Sequence, residues 1–169
     1  MASRLTRLWR HRWTDQADVR RALPPDAMER LTRRVTASEQ RHTGQVRICV
    51  EAGLPWSYLR RDAPARERAV TLFGKLRVWD TEHNNGVLIY LLLAEHAIEI
   101  VADRGIDARV DTEDWAATAR RMGEAFKEGR YEDGVTLALE EVSALLVAHF
   151  PRASGEADRN ELPDAPVVL

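Results

Sequence analysis

The run Val87-Leu88-Ile89-Tyr90-Leu91-Leu92-Leu93-Ala94 limits what this chain can fold into more than any other feature, because its only polar side-chain atom is the Tyr90 hydroxyl. Asn85-Gly86 stands before it and Glu95-His96 after it. An alternating strand would have one wet face. An unbroken apolar run this short predicts a central strand covered on both faces. Residues 97–102, Ala-Ile-Glu-Ile-Val-Ala, follow after only Glu95-His96, which predicts an antiparallel hairpin. Upstream, Val46, Ile48 and Val50 alternate with Gln45, Arg47, Cys49 and Glu51, a further strand with one greasier face. Residues 54–86 separate it from the apolar strand and contain the stripe Ala65, Ala69, Leu72, Phe73 and Leu76 behind Pro64. A helical crossover of that length predicts parallel neighbours joined in the right-handed sense.

The remaining helices have clear punctuation. Pro24-Pro25-Asp26 marks a start, with Asp26 available as a cap. Met28, Leu31, Val35, Ser38 and His42 give the helical spacing, and Gly44 the stop. Asp111 or Thr112 caps a stripe of Trp115, Ala119, Met122 and Phe126 that Gly129 closes. Val135, Ala138, Leu139, Val142, Leu145, Leu146 and His149 form the last helix, stopped by Pro151. The expected fold class is α/β, a small mixed β-sheet sandwiched by helices on both faces. The expected organisation is a basic amphipathic arm over 1–22, the α/β domain over 23–151, and an extended proline-containing tail over 152–169.

A length of 169 residues suits one core, and 44% hydrophobic with 31% charged residues excludes wholesale disorder. A net charge of −2, with no strand of interleaved basic and aromatic residues, argues against a nucleic-acid partner. The single cysteine, Cys49, cannot form an internal disulfide, which fits a reducing compartment. No apolar run approaches the roughly 20 residues of a spanning helix. The N-terminus mixes Leu5, Leu8, Trp9 and Trp13 with Arg4, Arg7, Arg10 and Arg12, unlike a signal peptide. The expected location is cytoplasmic, with peripheral contact at the inner membrane as an added expectation. Residues 3–13 either pack their tryptophans on the domain or meet an anionic membrane surface.

Polar residues converge at one end of the sheet. If Glu95 and His96 are the whole turn, Leu88 faces Asp103 and Gly86 faces Gly105. The loop 80–86 then meets the corner 103–105, near the segment 39–42 that leads into the first strand. Asp80, Glu82, Asn84, Asn85 and Asp103 are oxygen donors suited to Ca²⁺ or Mg²⁺. The plainer reading is turn chemistry and an Asp103–Arg104 pair. The loop starts like an EF-hand, but its glycine comes one place late and Leu91 stands where the bidentate Glu belongs. There is no Gly-x-Ser-x-Gly, P-loop or His-Glu-x-x-His motif. Cys49 lies mid-strand and reads as packing, and no histidine pair has zinc spacing. The tail ends in Val167-Val168-Leu169, which predicts docking on the domain or on a partner's sheet edge or groove.

Residues 76–90, Leu-Arg-Val-Trp-Asp-Thr-Glu-His-Asn-Asn-Gly-Val-Leu-Ile-Tyr, together with residues 98–106, resemble the TPM-domain family. Family members lead into a buried strand through Asn-Gly-Val-Leu and end the next strand in a glycine corner. Phe126-Lys127-Glu128-Gly129-Arg130-Tyr131 and Gly134 resemble the aromatic-x-x-Gly-x-Tyr link between the family's last helices. The resemblance spans about residues 27–150. It implies an α/β sandwich, divalent-cation binding at the two loops just described, acid phosphatase activity as reported for a plant relative, and a link to photosystem II repair in chloroplasts. Many members carry a signal peptide and a C-terminal membrane helix, neither of which is expected here, and the corner Ala102-Asp103-Arg104-Gly105 is more charged than usual. The similarity is to a short bacterial form. The expected function is a divalent-cation-binding interaction domain with a protein partner. The alternatives are a metal-dependent acid phosphatase and a peripheral membrane-associated accessory protein.

Overall fold

The computed structural model describes residues 4–157 and 159–169; positions 1–3 of the arm and residue 158 of the tail lie outside the described residues. Four strands form one sheet in the order β3-β2-β1-β4. They are β1 (Gln45–Glu51), β2 (Gly86–Leu92), β3 (Ala97–Ala102) and β4 (Val167–Val168). β1 runs parallel to β2, with Gln45 opposite Gly86, and β3 runs antiparallel to β2. The helices are α1 (Arg4–Trp13), α2 (Gln16–Ala22), α3 (Pro25–Glu39), α4 (Trp56–Arg60), α5 (Ala65–Lys75), α6 (Arg104–Asp107), α7 (Thr112–Lys127) and α8 (Tyr131–His149). None of the described helices is long and apolar enough to cross a membrane.

Every residue of β2 is buried, as its apolar run requires. Val87, Ile89 and Leu91 point into a core with Val46, Ile48 and Val50 of β1, roofed by α3, α7 and α8 through Leu31, Val35, Met122, Phe126, Leu139 and Leu146. Leu88, Tyr90 and Leu92 point the other way, with Cys49 and Val101, against Ala65, Ala69 and Leu72 of α5. The sheet is thus sandwiched by helices. β4 pairs parallel to the outer edge of β1, so the tail docks on its own domain. Leu162 is buried beneath it, and the Arg47 guanidinium donates to the carbonyls of Pro163 and, at 2.7 Å, Ala165.

The hairpin register differs from the expected one by two residues. Leu92, not Ala94, faces Ala97, and a 3₁₀ turn over Leu93–Glu95 closes the loop. A two-residue turn of the favoured type needs positive φ at both centres, whereas only His96, at φ 49°, adopts it. Leu93 and Ala94 are buried in the turn, and the Ala94 amide donates to the Ala52 carbonyl at 2.9 Å. Three helices fall where no helix was expected, α2, α4 and the short α6 that Asp103 starts. Asp15 and Asp18 form a reciprocal capping box that starts α2, and α4 interrupts the connector after Leu54. α3 ends at Glu39 rather than at Gly44. His42 leaves the helix and bridges to Pro151, and Gly44 is small because an added Cβ would lie 2.4 Å from Leu146 Cδ2.

The Tyr90 hydroxyl faces the interior and must find an acceptor there. It donates to Glu51 Oε2 at 2.7 Å. The Arg68 guanidinium of α5 clamps the same carboxylate, with Nη2 at 2.6 Å from Oε1 and Nε at 3.0 Å from Oε2. Both side chains are at most 10% exposed. The hydrogen bonds from Arg68 to Glu51 raise its pKa above the ordinary value for arginine. Removing one partner strands the other charge in the core. Glu51→Ala is expected to lose about 3–5 kcal/mol of stability in urea denaturation. Arg120→Ala, which breaks an exposed pair with Glu113, is expected to leave the urea midpoint unchanged.

Candidate metal centre

The polar end of the sheet is assembled by backbone fit. Val78 is buried and its carbonyl presses on the start of β2, where a Cβ on residue 86 would lie 2.0 Å from the Val78 oxygen. Gly86 is therefore required by close approach and not by turn conformation. Asn84 takes a left-handed φ of 51°. Its carbonyl accepts the Gly105 amide at 2.8 Å, and a Cβ at 105 would meet the Asn84 and His83 carbonyls at 2.5 Å. The Asp103 amide donates to the Gly86 carbonyl at 2.9 Å. Residues 83–86 and 103–105 are thus interlocked, which is the meeting of loop and corner expected from the sequence.

Two side-chain oxygens in this interlock have no hydrogen-bond partner. Asn85 is fully buried; Thr81 Oγ1 accepts its amide at 3.1 Å, and its Nδ2 donates to Thr43 Oγ1 at 3.3 Å. Its Oδ1 is left over. Asp103 is 8% exposed and caps α6, with Oδ1 accepting the Arg104 amide at 2.8 Å, and its Oδ2 is also left over. A buried acceptor without a donor costs roughly 1–3 kcal/mol, more when charged.

The other expected donors are engaged. Asp80 is exposed and holds the Arg77 guanidinium. Glu82 Oε2 accepts from Arg159 at 2.7 Å, and the Glu82 amide donates to Glu161 Oε2 at 2.9 Å, so the tail crosses the loop. Asn84 Oδ1 faces Arg104 Nη2 at 3.4 Å. Among the described residues no three His, Cys, Asp or Glu side chains gather into a group that could hold a metal. The expected donors that keep a side-chain oxygen without a protein partner are therefore one carboxylate, Asp103, and the amide of Asn85. That suits a hard ion that keeps several of its waters, as Mg²⁺ commonly does. Thr43, Thr81 and the tail residues Arg159 and Glu161 line this end without having been expected there. The parallel register of β1 and β2 alone could have pointed to Thr43.

The neighbouring segment is sealed. His42 is fully buried; Nδ1–H donates to the Gly44 carbonyl at 3.1 Å and Nε2 accepts from the Ser38 hydroxyl at 2.9 Å. Burial pushes its pKa down to about 4. Arg152 Nη2 donates to the Glu39 and His42 carbonyls at 2.7 and 3.1 Å. Cys49 is fully buried in β1, and burial pushes its thiol up to about 12, so it stays a packed side chain.

The sequence profile of the TPM domain matches residues 14–145. The NMR structure of the BA42 protein from the psychrophilic bacterium Bizionia argentinensis is similar, with a TM-score of 0.73 at 24% identity over 85% of this chain and 92% of that one. The N-terminal domain of a P. gingivalis protein, also solved by NMR, gives a TM-score of 0.59 at 19% identity over 78% and 83%. At these identities the likeness to the two structures is one of fold. No curated protein matches the chain.

Two outcomes follow from this geometry. Gly86→Ala is expected to lower stability by at least ~1–3 kcal/mol, because the clash is with backbone. Gly123→Ala, inside α7 with nothing within 4 Å, is expected to add roughly 0.5–1 kcal/mol. Thermal unfolding compares the pair. For His42, the unfolded chain takes up a proton below about 6.5 and the folded chain only below about 4. Its contribution is therefore present above 6.5 and lost as pH falls through that window, on the order of 3 kcal/mol in total. The urea midpoint should fall more between pH 7 and pH 5 in the native chain than in His42→Gln.

Proposed function

Because this chain belongs to the TPM domain family, we propose that residues 83–86 and 103–105 form a divalent-cation site, and that the domain acts by binding. What supports the reading is the pair of buried, unpartnered oxygens, Asn85 Oδ1 and Asp103 Oδ2, on two backbone segments that are bonded to each other. A cation such as Mg²⁺ or Ca²⁺ would relieve both at once, with water completing its shell. Asp103 supplies the charge and Asn85 a neutral oxygen. With a single carboxylate the site is weak, at a Kd of roughly 10⁻⁴–10⁻³ M. Binding is favoured over covalent hydrolysis because Cys49 and His42 are both sealed in the core, out of reach of a phosphate ester at this corner.

The test is a titration of the demetallated chain with MgCl₂ and CaCl₂, followed by ¹H–¹⁵N NMR. The amides of Asn84, Asn85, Gly86, Asp103 and Arg104 are expected to shift. Asp103→Asn retains a capping oxygen while removing the charge, and is expected to weaken binding by at least roughly tenfold. An unchanged spectrum at millimolar cation, or equal affinity in Asp103→Asn, rules the site out.

A further inference from the structure

The second concentration of unused chemistry lies on α1. Its inner side is fastened by polar contacts. Arg7 Nε donates to Glu95 Oε1 at 2.7 Å and Arg7 Nη2 to the Ala63 carbonyl at 2.6 Å. His11 Nδ1 accepts the Leu54 amide at 2.9 Å, so its proton sits on Nε2 and donates to Glu95 Oε1 at 2.8 Å. The helix is thereby fixed in rotation.

The opposite side is apolar and uncovered. Leu5, Trp9 and Trp13, spaced four apart, are 69%, 63% and 70% exposed, and Trp56 of α4 beside them is 67% exposed. Trp9 and Trp13 stack with centroids 6.0 Å apart. With Leu8, Leu54 and Leu59 they border an open groove of about 460 Å³. These four are half of the large exposed apolar side chains among the described residues, gathered in one patch. Arg12 lines the groove too, and Arg10 and Arg60 lie elsewhere on α1 and α4. Arg10, Arg12 and Arg60 have no acidic partner among the described residues, and α1 contains no acidic residue. The nearby carboxylates Asp62 and Glu95 are already matched by Arg7.

We propose that this face docks the protein on an anionic lipid surface, with the helix lying in the plane of the headgroups. The stripe from Leu5 to Trp13 extends about 12 Å along α1, enough to seat one side of the helix at the interface without crossing it. Indole rings suit the headgroup level, having an apolar body and one polar N–H. The unpaired arginines of α1 and α4 supply the attraction to lipid phosphates. Charge complementarity selects lipid over a second copy of the chain, whose identical patch would bring the same arginines together. The site is independent of the proposed cation corner.

The test uses the full chain in EDTA with vesicles of phosphatidylcholine, with and without phosphatidylglycerol. Binding is followed by sedimentation and by tryptophan emission. The expected result is binding and a blue shift with phosphatidylglycerol only, reversed by raising salt from ~0.05 to ~0.5 M. Trp9→Ser/Trp13→Ser and, separately, Arg10→Gln/Arg12→Gln are each expected to weaken binding by roughly tenfold or more. Both alter exposed side chains, and circular dichroism checks that the fold is retained. Absence of binding to anionic vesicles, equal binding to neutral ones, or a tryptophan-dependent dimer that does not bind vesicles overturns the proposal. Because EDTA excludes divalent ions, failure here leaves the cation reading untouched.

Discussion

β2 has no face open to water, and most of the architecture answers that condition. Two helical layers are needed, and the chain supplies them from different stretches: α3, α7 and α8 on one side, α5 on the other. Two neighbouring strands are needed, and they come one from before and one from after β2 in the sequence. Because the strand is buried, its one hydroxyl cannot be left to solvent, which accounts for Glu51 beneath Tyr90 and for Arg68 beneath Glu51. Burial raises the Tyr90 pKa, and the charge of Glu51 pushes it the same way. An apolar strand thus brings an ion pair into the interior.

The same strand fixes the polar corner. β2 begins at Gly86 because the Val78 carbonyl packs against its first residue, and Asp103 follows β3 within hydrogen-bonding reach of that start. Two turns distant in sequence therefore share backbone hydrogen bonds. Within that tight fit the Oδ1 of Asn85 and the Oδ2 of Asp103 are buried without a donor from the protein.

Much of this was legible from pattern alone. The apolar run, the alternation in β1 and the crossover helix between them determine the parallel pair and the layered sandwich, and family resemblance pointed to the same fold. Loop and corner could be placed together because a hairpin of any length returns β3 to the start of β2. What pattern could not supply was detail set by tertiary contact. The hairpin register depended on Ala94 giving its amide to Ala52, which periodicity does not encode. Nor does loop composition distinguish donors facing inward from those captured by arginine. Asp80 and Glu82 have the same chemistry as Asp103, yet Arg77 and Arg159 hold them at the surface.

The outermost strand has a consequence of its own. β4 is two residues long, partly exposed, and paired with Cys49 and Val50 of β1. Its pairing joins the two strands farthest apart in the sequence and so closes the longest loop of the sheet. When it is in place, the row of amides and carbonyls along β1 is blunted. When it is out, β1 becomes a bare edge of alternating apolar residues. Residues 167–168 thus act as a latch over an edge that would otherwise be open to another strand.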